Sequence, residues 1–421
     1  MSLRLGCIAD DTTGATDIAS SLVGAGLRVQ LVHGLTPVPD ADTADAIVVA
    51  LKSRTAPVDE AVRDSLAAAR WLRAQGARQL YFKVCSTFDS TDRGNIGPVT
   101  EALMDALGCD FTIACPAFPA NGRTVYKGYL FTGEVLLSEG SMREHPLTPM
   151  TDPSLVRVMQ RQCRRRVGLI EHAVVRRGSE AIAARMAALR AEGIGIAIVD
   201  ALDDADLHAM GRAFAALPVL TAGSGVAIGL PANFGLAPSA AAAELPPSSG
   251  ARAIVSGSCS AASNAQVAAF LNRHPGRGFA VDPLLLAAGE DLAAAALAWA
   301  GSKLGEEPLL VYATAQPEAV KAVQAALGVE AAGALVERTL ARVAEGLVGR
   351  GVARLVVAGG ETSGACVQAL GVKQLRIGAQ IDPGVPWCQV FTGDGKPLHL
   401  ALKSGNFGGV DFFDKAFEVL Q

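Results

Sequence analysis

Short apolar runs alternate with longer amphipathic stretches through roughly the first half of the chain, a pattern typical of strands and helices that follow one another. The first run, Leu5 to Ala9, is almost wholly apolar, as expected for a strand that is covered on both faces. Helical spacing relates Val62 to Leu72 and Ile182 to Leu189. The other strands predicted in this half are Val29 to His33, Ala46 to Leu51, Gln79 to Val84, Phe111 to Cys115, Gly195 to Val199 and Val219 to Thr221. The pattern predicts an α/β domain whose sheet is mainly parallel and flanked by helices.

A second α/β series begins after residues 235–251, a stretch of small residues with three prolines and no apolar period. Such a composition is typical of a linker, so we place a domain boundary near residue 245 and predict domains over residues 1–240 and 251–421. The strands predicted in the second domain are Ala253 to Ser256, Leu309 to Ala313, Leu355 to Ala358, Cys388 to Thr392 and Leu398 to Leu402. Because two lobes joined in this way tend to bind ligands in the crevice between them, we expect the active site in the interdomain cleft.

Two segments of the first domain depart from this alternation. Residues 116–155 hold many turn residues and little periodicity, which predicts a long ordered loop that is either functional or a cap on a sheet edge. A basic run follows, made of Arg157, Arg161, Arg164, Arg165 and Arg166. Since no aromatic side chains are interleaved with it, the run predicts a solvated helix face rather than a nucleic-acid patch.

Composition and charge narrow the class of protein. Half of the 421 residues are hydrophobic and 19% are charged, which fits a packed α/β enzyme rather than a disordered protein. The net charge of -4 gives no whole-chain attraction to nucleic acid or to anionic membranes. The eight cysteines form no C-x-x-C pairs, and the chain shows neither a signal peptide nor an apolar run of the roughly 20 residues that span a bilayer. We therefore expect a cytoplasmic protein with neither nucleic-acid nor membrane partners.

The first predicted strand ends in consecutive carboxylates, Asp10 and Asp11, and Asp17 follows within the next helix. Ligands of open α/β sheets bind at this end of the strands, where either Asp10 or Asp11 could accept a proton from a substrate hydroxyl. The alternative is that one aspartate, or Thr12 or Thr13, only caps the helix. Because two successive carboxylates exceed the need for capping, Asp10 and Asp11 are the predicted catalytic residues.

Cations and hydroxyls follow two more strands of the same domain. Lys52, Ser53 and Arg54 come after the third strand, where the cations either lie in solvent or grip a carboxylate. The segment Lys83 to Asn95 offers the donors and acceptors that a polyhydroxy acid needs, although hydroxyl-rich loops are common. In the irregular loop, Arg123 could hold an anion, and His145 either contacts a substrate oxygen or is structural. The predicted substrate contacts are Asp17, Lys52, Ser53, Arg54, Lys83, Ser86, Thr87, Ser90, Arg93, Asn95, Arg123 and His145.

Three glycine-containing turns follow strands of the second domain, at residues 256–260, 359–364 and 403–409. A strand that breaks at glycines and restarts as a helix leaves backbone N–H groups directed at one point, where a phosphate can bind. Packing is the alternative reason for such glycines, and the turns have neither a Walker nor a G-x-G-x-x-G pattern. The predicted nucleotide contacts are Ser256, Ser258, Ser260, Gly359, Gly360, Glu361, Thr362, Ser363, Gly364, Lys403, Ser404 and Gly405.

The turns from Ala9 to Asp17, Lys83 to Asn95, Gly359 to Gly364 and Lys403 to Gly409, in this order, resemble the four-carbon acid sugar kinase family over essentially the whole chain. Members that act on threonate or erythronate tend to carry a compact Asp-Ser-Thr-Leu-Arg-Gly-Asn after the strand lysine, which this chain replaces with Cys85 to Asn95. That departure, with residues 116–126 and 145–152, looks like the 3-oxo-tetronate kinase branch. The resemblance implies an N-terminal lobe that holds the acid sugar, a C-terminal lobe that holds ATP, and transfer of the γ-phosphoryl group to the 4-hydroxyl.

The combined interpretation is an ATP-dependent kinase that phosphorylates O4 of 3-oxo-tetronate. Asp10 is expected to orient or deprotonate the hydroxyl, Arg54 and Lys83 to hold the substrate carboxylate, and Lys403 to screen phosphate charge. Mg²⁺ is expected as a second cofactor because it bridges the transferring phosphates, although no protein cage for a metal is visible. The alternatives are a D-threonate or D-erythronate 4-kinase, a non-catalytic sugar-acid sensor and an NAD-dependent oxidoreductase. A homodimer is a further expectation.

Overall fold

The computed structural model describes residues 3–35, 44–144, 148–305, 307–315, 322–323, 325–403, 405 and 407–420. The chain divides into two compact units, Met1–Ala243 and Glu244–Gln421. Each unit is a mainly parallel sheet flanked by helices, so the predicted α/β class is confirmed. The active site in an interdomain cleft stays a prediction.

The N-terminal unit has a parallel main sheet with strand order β2-β3-β1-β4-β11-β5-β10-β9. Its strands are β1 (Leu5–Ala9), β2 (Val29–His33), β3 (Ala46–Ala50), β4 (Gln79–Lys83), β5 (Thr112–Cys115), β6 (Arg123–Tyr126), β7 (Tyr129–Thr132), β8 (Val135–Leu136), β9 (Arg166–Ile170), β10 (Ile194–Val199) and β11 (Val219–Ala222). Its helices are α1 (Thr12–Gly24), α2 (Val58–Ala74), α3 (Ile96–Ala106), α4 (Leu155–Gln162), α5 (His172–Val175), α6 (Ser179–Ala191), α7 (Asp204–Ala213) and α8 (Ser224–Ala227). Every residue of β1, β3 and β4 is buried, which explains the continuously apolar runs of β1 and β3, and the buried residues of β4 include the polar Gln79 and Lys83.

The register of the central strands sets the position of the polar turns. Ala9, the last residue of β1, lies opposite Ala50 on β3 and opposite Lys83 on β4. The three strands therefore end level with one another. The turns that follow them begin side by side at the same edge of the sheet.

The segment predicted as a long loop contains a small antiparallel sheet made of β6, β7 and β8. Lys127 and Gly128 connect β6 to β7 with φ angles of 53° and 74°. The buried carboxylate of Asp200 accepts hydrogen bonds of 2.8 Å from the backbone N–H groups of both residues. These strands have four residues or fewer, too short for periodicity to reveal them.

The prediction that the basic run is one helix face is wrong for its second half. Helix α4 ends at Gln162, Cys163 is extended with φ -112° and ψ 145°, and Arg166 begins β9. Arg157 and Arg161 do lie on α4 and pair with Asp152. Spacing alone could not locate this helix end because no glycine or proline marks it.

The C-terminal unit has a sheet with strand order β13-β14-β12-β15-β18-β17-β16, parallel from β13 to β18 and antiparallel beyond. Its strands are β12 (Ala251–Ser256), β13 (Gly278–Ala280), β14 (Leu309–Tyr312), β15 (Val352–Ala358), β16 (Gln374–Asp382), β17 (Val385–Phe391) and β18 (Pro397–Lys403). Its helices are α9 (Ala261–Arg273), α10 (Pro283–Ala287), α11 (Leu292–Gly301), α12 (Val329–Gly349), α13 (Gly360–Ala369) and α14 (Phe412–Glu418). Strands β13 and β16 were not predicted from the sequence.

Aromatic side chains fill the core between this sheet and helices α9 and α14. Phe270 of α9 and Phe413 of α14 are buried with their ring centroids 6.4 Å apart. Trp387 of β17 is fully buried, and its indole N–H donates to the carbonyl of Ala416 at 2.6 Å. Burying a side chain of this size stabilises a fold by roughly 1.5–3 kcal/mol, so these rings anchor both helices to the sheet.

Along the described ranges, no helix has the length and the apolar character that crossing a membrane requires.

Candidate functional site

The ends of β1, β3 and β4 join Asp10 to the loops of Arg54 and Lys83 through the backbone. The carbonyl of Asp10 accepts hydrogen bonds from the N–H groups of Ser53 and Arg54, at 2.9 and 3.2 Å. The N–H of Asp10 donates to the carbonyl of Lys83 at 3.1 Å. These hydrogen bonds fix turns that are distant in sequence around Asp10. The side chain of Asp10 is only 4% exposed, so the carboxylate that they surround is buried.

Arg54 is surrounded by carboxylates of the protein itself. Its Nε and Nη2 donate to the two oxygens of Asp10, both at 3.0 Å. Its Nη2 also lies 3.0 Å from Asp11 Oδ2, and its Nη1 lies 3.6 Å from Asp89 Oδ2. A substrate carboxylate at Arg54 would compete with three protein carboxylates, and the contact predicted for Arg54 stays a prediction.

Asp11 caps helix α1, which is the capping role that the sequence left open for one of the two aspartates. Its Oδ1 accepts a 2.6 Å hydrogen bond from Gly14 N. A Cβ on Gly14 would lie 2.5 Å from that oxygen and 3.2 Å from Lys83 Nζ, so only glycine leaves room for both groups. The buried Lys83 donates to the carbonyl of Val84 at 2.7 Å, and its Nζ lies 3.9 Å from Asp17 Oδ2. The first turn and the end of β4 therefore form one compact charged cluster.

The carboxyl group of Asp10 differs chemically from an exposed aspartate. Burial raises the pKa of Asp10, Arg54 opposes that shift by charge and hydrogen bonding, the neighbouring Asp11 adds to it, and Lys83 lowers it. A carboxylate whose pKa is raised is a stronger proton acceptor than an ordinary one. Asp10 can therefore serve as a general base toward a hydroxyl placed beside it.

Asn95 holds the loop after β3 rather than standing free for a ligand. Its Nδ2 lies 2.7 Å from the carbonyl of Ser53, 2.8 Å from that of Ala56 and 3.3 Å from that of Arg54. A side-chain amide has only two N–H groups, so these three carbonyls already saturate its donors. Asn95 therefore acts on the site by shaping the loop that carries Arg54.

The other hydroxyls of this segment are partly engaged with the protein. Thr87 Oγ1 donates to Asp89, and Ser90 Oγ accepts a 2.8 Å hydrogen bond from Gln162. Ser53 Oγ is buried and makes no hydrogen bond to any described residue. Ser86 is half-buried.

Several predicted substrate contacts lie away from the Asp10 cluster or outside the described residues. Arg93 lines a cavity of about 360 Å³ with Ser90, Met150 and Arg161. Arg123 begins β6 and donates to the carbonyl of Asn121. Lys52 is exposed at the loop after β3. His145, also predicted as a substrate contact, lies outside the described residues.

The three glycine-containing turns of the C-terminal unit meet at one edge of its sheet. In register, Ala358 at the end of β15 lies opposite Ser256 of β12 and Lys403 of β18. Gly359 has φ 126°, a conformation that glycine allows, and a Cβ there would lie 3.1 Å from Ser258 N. Helix α13 begins directly after Gly359 without a side-chain cap, which leaves its first N–H groups free of side-chain acceptors.

Serine hydroxyls join two of these turns. Ser260 Oγ caps α9 through Ser263 N and donates to the carbonyl of Gly405 at 2.6 Å. Ser258 Oγ lies 3.2 Å from Ser260 Oγ, and a Cβ on Gly405 would lie only 2.6 Å from the Ser258 hydroxyl. Ser256 points elsewhere, since its hydroxyl lies 2.7 Å from Thr314 Oγ1. The 256–260 and 403–409 turns therefore approach each other closely enough to share one ligand.

Lys403 is fully buried, and its expected role of screening phosphate charge stays a prediction. Its ammonium donates to Ser263 Oγ at 3.2 Å and to the carbonyl of Gly405 at 2.9 Å, and it lies 5.9 Å from the Phe412 ring centroid. Burial lowers the pKa of Lys403 to about 8. Lys403 thus supports the Gly405 turn from the core side. Ser404, the next predicted contact, lies outside the described residues.

A cavity of about 540 Å³ opens beside these turns within the C-terminal unit. Gly257, Glu361 and Thr362 line it, together with residues that belong to no predicted motif: Val281, Pro283, Tyr312, Thr314, Val336 and Glu337. Burial raises the pKa of Glu337, and the nearby Glu361 adds to the shift. The wall of the cavity that contains Tyr312 could have been predicted, because an apolar strand ends there. The wall formed by α12 carries no motif that marks it in the sequence.

Among the described side chains, no cluster of three histidine, cysteine, aspartate or glutamate residues could hold a metal ion.

Comparison with known proteins relates each unit to a domain of known type. A family model described as a sugar-binding N-terminal domain matches residues 5–230, and one described as a nucleotide-binding C-terminal domain matches residues 253–413. Curated relatives named 3-oxo-tetronate kinase, from Burkholderia multivorans (strain ATCC 17616 / 249) and from Cupriavidus necator, are each 60% identical over 99% of this chain and 97% of the relative.

Solved structures with the same fold cover the full chain. The crystal structure of a candidate tRNA synthase from Salmonella typhimurium LT2 has a TM-score of 0.92 and 43% identity, and the alignment covers 99% of this chain and 100% of that one. The crystal structure of a Haemophilus influenzae protein has a TM-score of 0.88 at 43% identity with the same coverage. By these matches the chain belongs to the four-carbon acid sugar kinase family, in the branch of its relatives named 3-oxo-tetronate kinase.

Proposed function

We propose that this protein is an ATP-dependent kinase that phosphorylates the 4-hydroxyl of a four-carbon acid sugar, and that the acid is 3-oxo-tetronate. Relatives named for that activity are 60% identical over nearly the whole chain, which supports the choice of substrate. The observation that carries the proposal is the placement of the polar groups. In the N-terminal unit a buried carboxylate lies beside two cations, and in the C-terminal unit glycine turns surround a helix N-terminus.

In the N-terminal unit, we assign Asp10 to the attacking hydroxyl. Its carboxylate is fixed by Arg54 and its pKa is raised by burial, so it is prepared to orient and deprotonate an alcohol. Asp11 is the less suitable base because its Oδ1 is held by the N-cap hydrogen bond from Gly14 and its side chain is 30% exposed, whereas that of Asp10 is buried. We assign the substrate carboxylate to Lys83, which lies in the same charged cluster, since the guanidinium of Arg54 is already surrounded by carboxylates.

In the C-terminal unit, we assign the phosphates of ATP to the turns that contain Ser258, Gly360 and Gly405. A Cβ at Gly405 would fill the space beside the Ser258 hydroxyl, so the cradle depends on glycine, and the N–H groups that begin α13 favour an anion. The adjoining cavity of about 540 Å³ lies within the usual range for small-molecule sites and accommodates the nucleoside. These features fit a nucleoside triphosphate.

Mg²⁺ belongs to the proposal as the partner of ATP, where it neutralises charge on the transferring phosphates. Within the described residues the structure offers no ready group of metal-binding side chains. The protein's own contribution is therefore to position the two substrates and to place the Asp10 carboxyl group beside the attacking hydroxyl.

The test is an ADP-release assay over 3-oxo-tetronates, D-threonate and D-erythronate with Mg-ATP. We expect turnover with a 3-oxo-tetronate. Asp10→Asn should lower kcat by about 100-fold or more while ATP still binds, because general-base catalysis is typically worth 10²–10⁴. Asp59→Asn, at an exposed position at the start of α2, is the matched control and should change kcat little.

Three results would contradict the proposal or part of it. ADP release that occurs only with D-threonate or D-erythronate would replace the substrate. Sugar-acid binding without ADP release would favour a non-catalytic sensor. Near-normal turnover in Asp10→Asn would reject the role of Asp10 while leaving the kinase activity in place.

A further inference from the structure

The turn between β4 and α3 presents a carboxylate, that of Asp89, to which the proposed function assigns no role. Cys85 to Phe88 form a tight turn in which Phe88 N donates to the carbonyl of Cys85 at 3.0 Å. Phe88 has φ 52°, although its side chain is bulky and completely buried. Backbone strain of this kind persists only where the surrounding structure fixes it, and it is common at functional sites. The consequence of this turn is the position of the next residue, Asp89.

Asp89 is buried and connects two parts of the N-terminal unit. Its Oδ1 accepts a hydrogen bond from Thr87, whose hydroxyl lies 2.9 Å from Cys85 Sγ. Its Oδ2 lies 3.6 Å from Arg54 Nη1. The side chain of Asp89 is only 8% exposed, so the pair with Arg54 is shielded from solvent.

The guanidinium of Arg54 is planar, and its nitrogens are divided among several carboxylates. The Nε and Nη2 atoms face Asp10 and Asp11, whereas Nη1 faces Asp89. Anions on opposite sides of a guanidinium fix the orientation of its plane, and that plane determines where both oxygens of Asp10 lie. The backbone of Arg54 is fixed independently by Asn95.

We propose that Asp89 is a positioning residue for phosphoryl transfer, which acts by holding the Arg54 guanidinium in the orientation that places the Asp10 carboxylate against the substrate hydroxyl. The inference rests on the proposed function, because it takes Asp10 as the group that receives the proton. Asp89 itself contacts no reacting atom. Its effect therefore appears in turnover and depends on Arg54.

The experiment is a double-mutant cycle on the full-length protein, with kcat and the KM for ATP measured by ADP release. Asp89→Asn keeps the size of the side chain and removes its charge. We expect kcat to fall about tenfold with the KM for ATP unchanged. In an Arg54→Lys background the planar guanidinium that contacts several carboxylates is absent. Asp89→Asn should therefore change kcat less than about twofold there.

Matched variants separate this role from a general effect on folding. Asp92→Asn, in the same segment but 65% exposed, should leave kcat within about twofold. Thr87→Val removes only the hydroxyl that donates to Asp89, so it should lower kcat by a smaller factor and lose that effect in the Arg54→Lys background. It serves as the test if Asp89→Asn does not fold. Thermal unfolding of each variant identifies any that lose kcat through instability.

The outcomes distinguish this inference from the proposed function. Wild-type protein that releases no ADP with any of the acid sugars contradicts the proposed function itself. An active wild type with an unchanged Asp89→Asn variant overturns the role of Asp89. An equal loss of kcat in both backgrounds also overturns it, because Asp89 would then act independently of Arg54.

Discussion

The buried lysine of the C-terminal unit predicts a dependence of stability on pH that can be assigned to one side chain. Lys403 has an ordinary pKa of 10.5 in the unfolded chain and a pKa of about 8 when folded, because burial disfavours its charged form. Below pH 8 both states carry the proton, and the folded state bears the full cost of burying the charge. Between pH 8 and 10.5 the unfolded state binds more protons, so the free energy of unfolding rises with pH. At about 1.36 kcal/mol per pKa unit, the whole rise is on the order of 3 kcal/mol, and roughly 2 kcal/mol of it falls between pH 7.5 and 10.

The assay is urea unfolding without nucleotide at several values between pH 7.5 and 10. A Trp71→Phe background restricts fluorescence to Trp299 and Trp387, which both lie in the C-terminal unit. The comparison is between Lys403 and Lys403→Met, which replaces the ammonium with an apolar group of similar length. Buried thiols have raised pKa values and give a trend of the opposite sign, but they contribute equally to both proteins and cancel in the difference.

Lys373→Met is the matched control, because this lysine lies in the same unit and is exposed. It should keep the pH dependence of the wild type. The stability difference between wild type and Lys403→Met should change by roughly 2 kcal/mol over the pH range. A difference that stays constant from pH 7.5 to 10 would show that Lys403 is not a buried cation with a lowered pKa, and the support that it gives the Gly405 turn would need another explanation.

Two further substitutions test the geometry of the sites. Gly405→Ala places a methyl group 2.6 Å from the Ser258 hydroxyl and should raise the KM for ATP about tenfold in the ADP-release assay, whereas Gly301→Ala, with open space around it, should leave that KM unchanged. Asn95→Asp replaces a donor shared by three backbone carbonyls with a carboxylate, so the free energy of unfolding by urea should fall by about 2–4 kcal/mol. Asn272→Asp at an exposed helix position should change the free energy of unfolding little, and equal effects of the two changes would refute the role of Asn95 in holding the loop after β3.

Much of the fold could be predicted from the sequence because the signals are local. The apolar run of β1 and the polar turn after it mark a buried strand and the start of a helix without knowledge of any partner. The glycine turn at Gly359 was visible for the same reason, since a φ of 126° is a property of one residue. Elements with weak local signals were missed, among them β6 to β8, the end of α4 at Gln162 and the strands β13 and β16.

The roles of individual side chains could not be predicted in the same way. Arg54 and Lys83 were both expected to face a carboxylate of the substrate, and Lys403 to face phosphate. Spacing along the chain does not reveal that Arg54 meets three protein carboxylates, or that Lys403 turns into the core toward Phe412. The first outcome depends on which strands are neighbours, and the second on how helices α9 and α14 pack beside β18.

The sequence by itself determined which residues are polar at the ends of strands, because strand and turn preferences act over a few residues and need no tertiary partner. Only the tertiary structure decided how those residues are used. The placement of β3 and β4 on either side of β1 surrounds Arg54 with carboxylates, and the placement of β15 between β12 and β18 joins three glycine turns at one edge. Strand order is set by burial of the whole sheet, a long-range energy that no local pattern encodes.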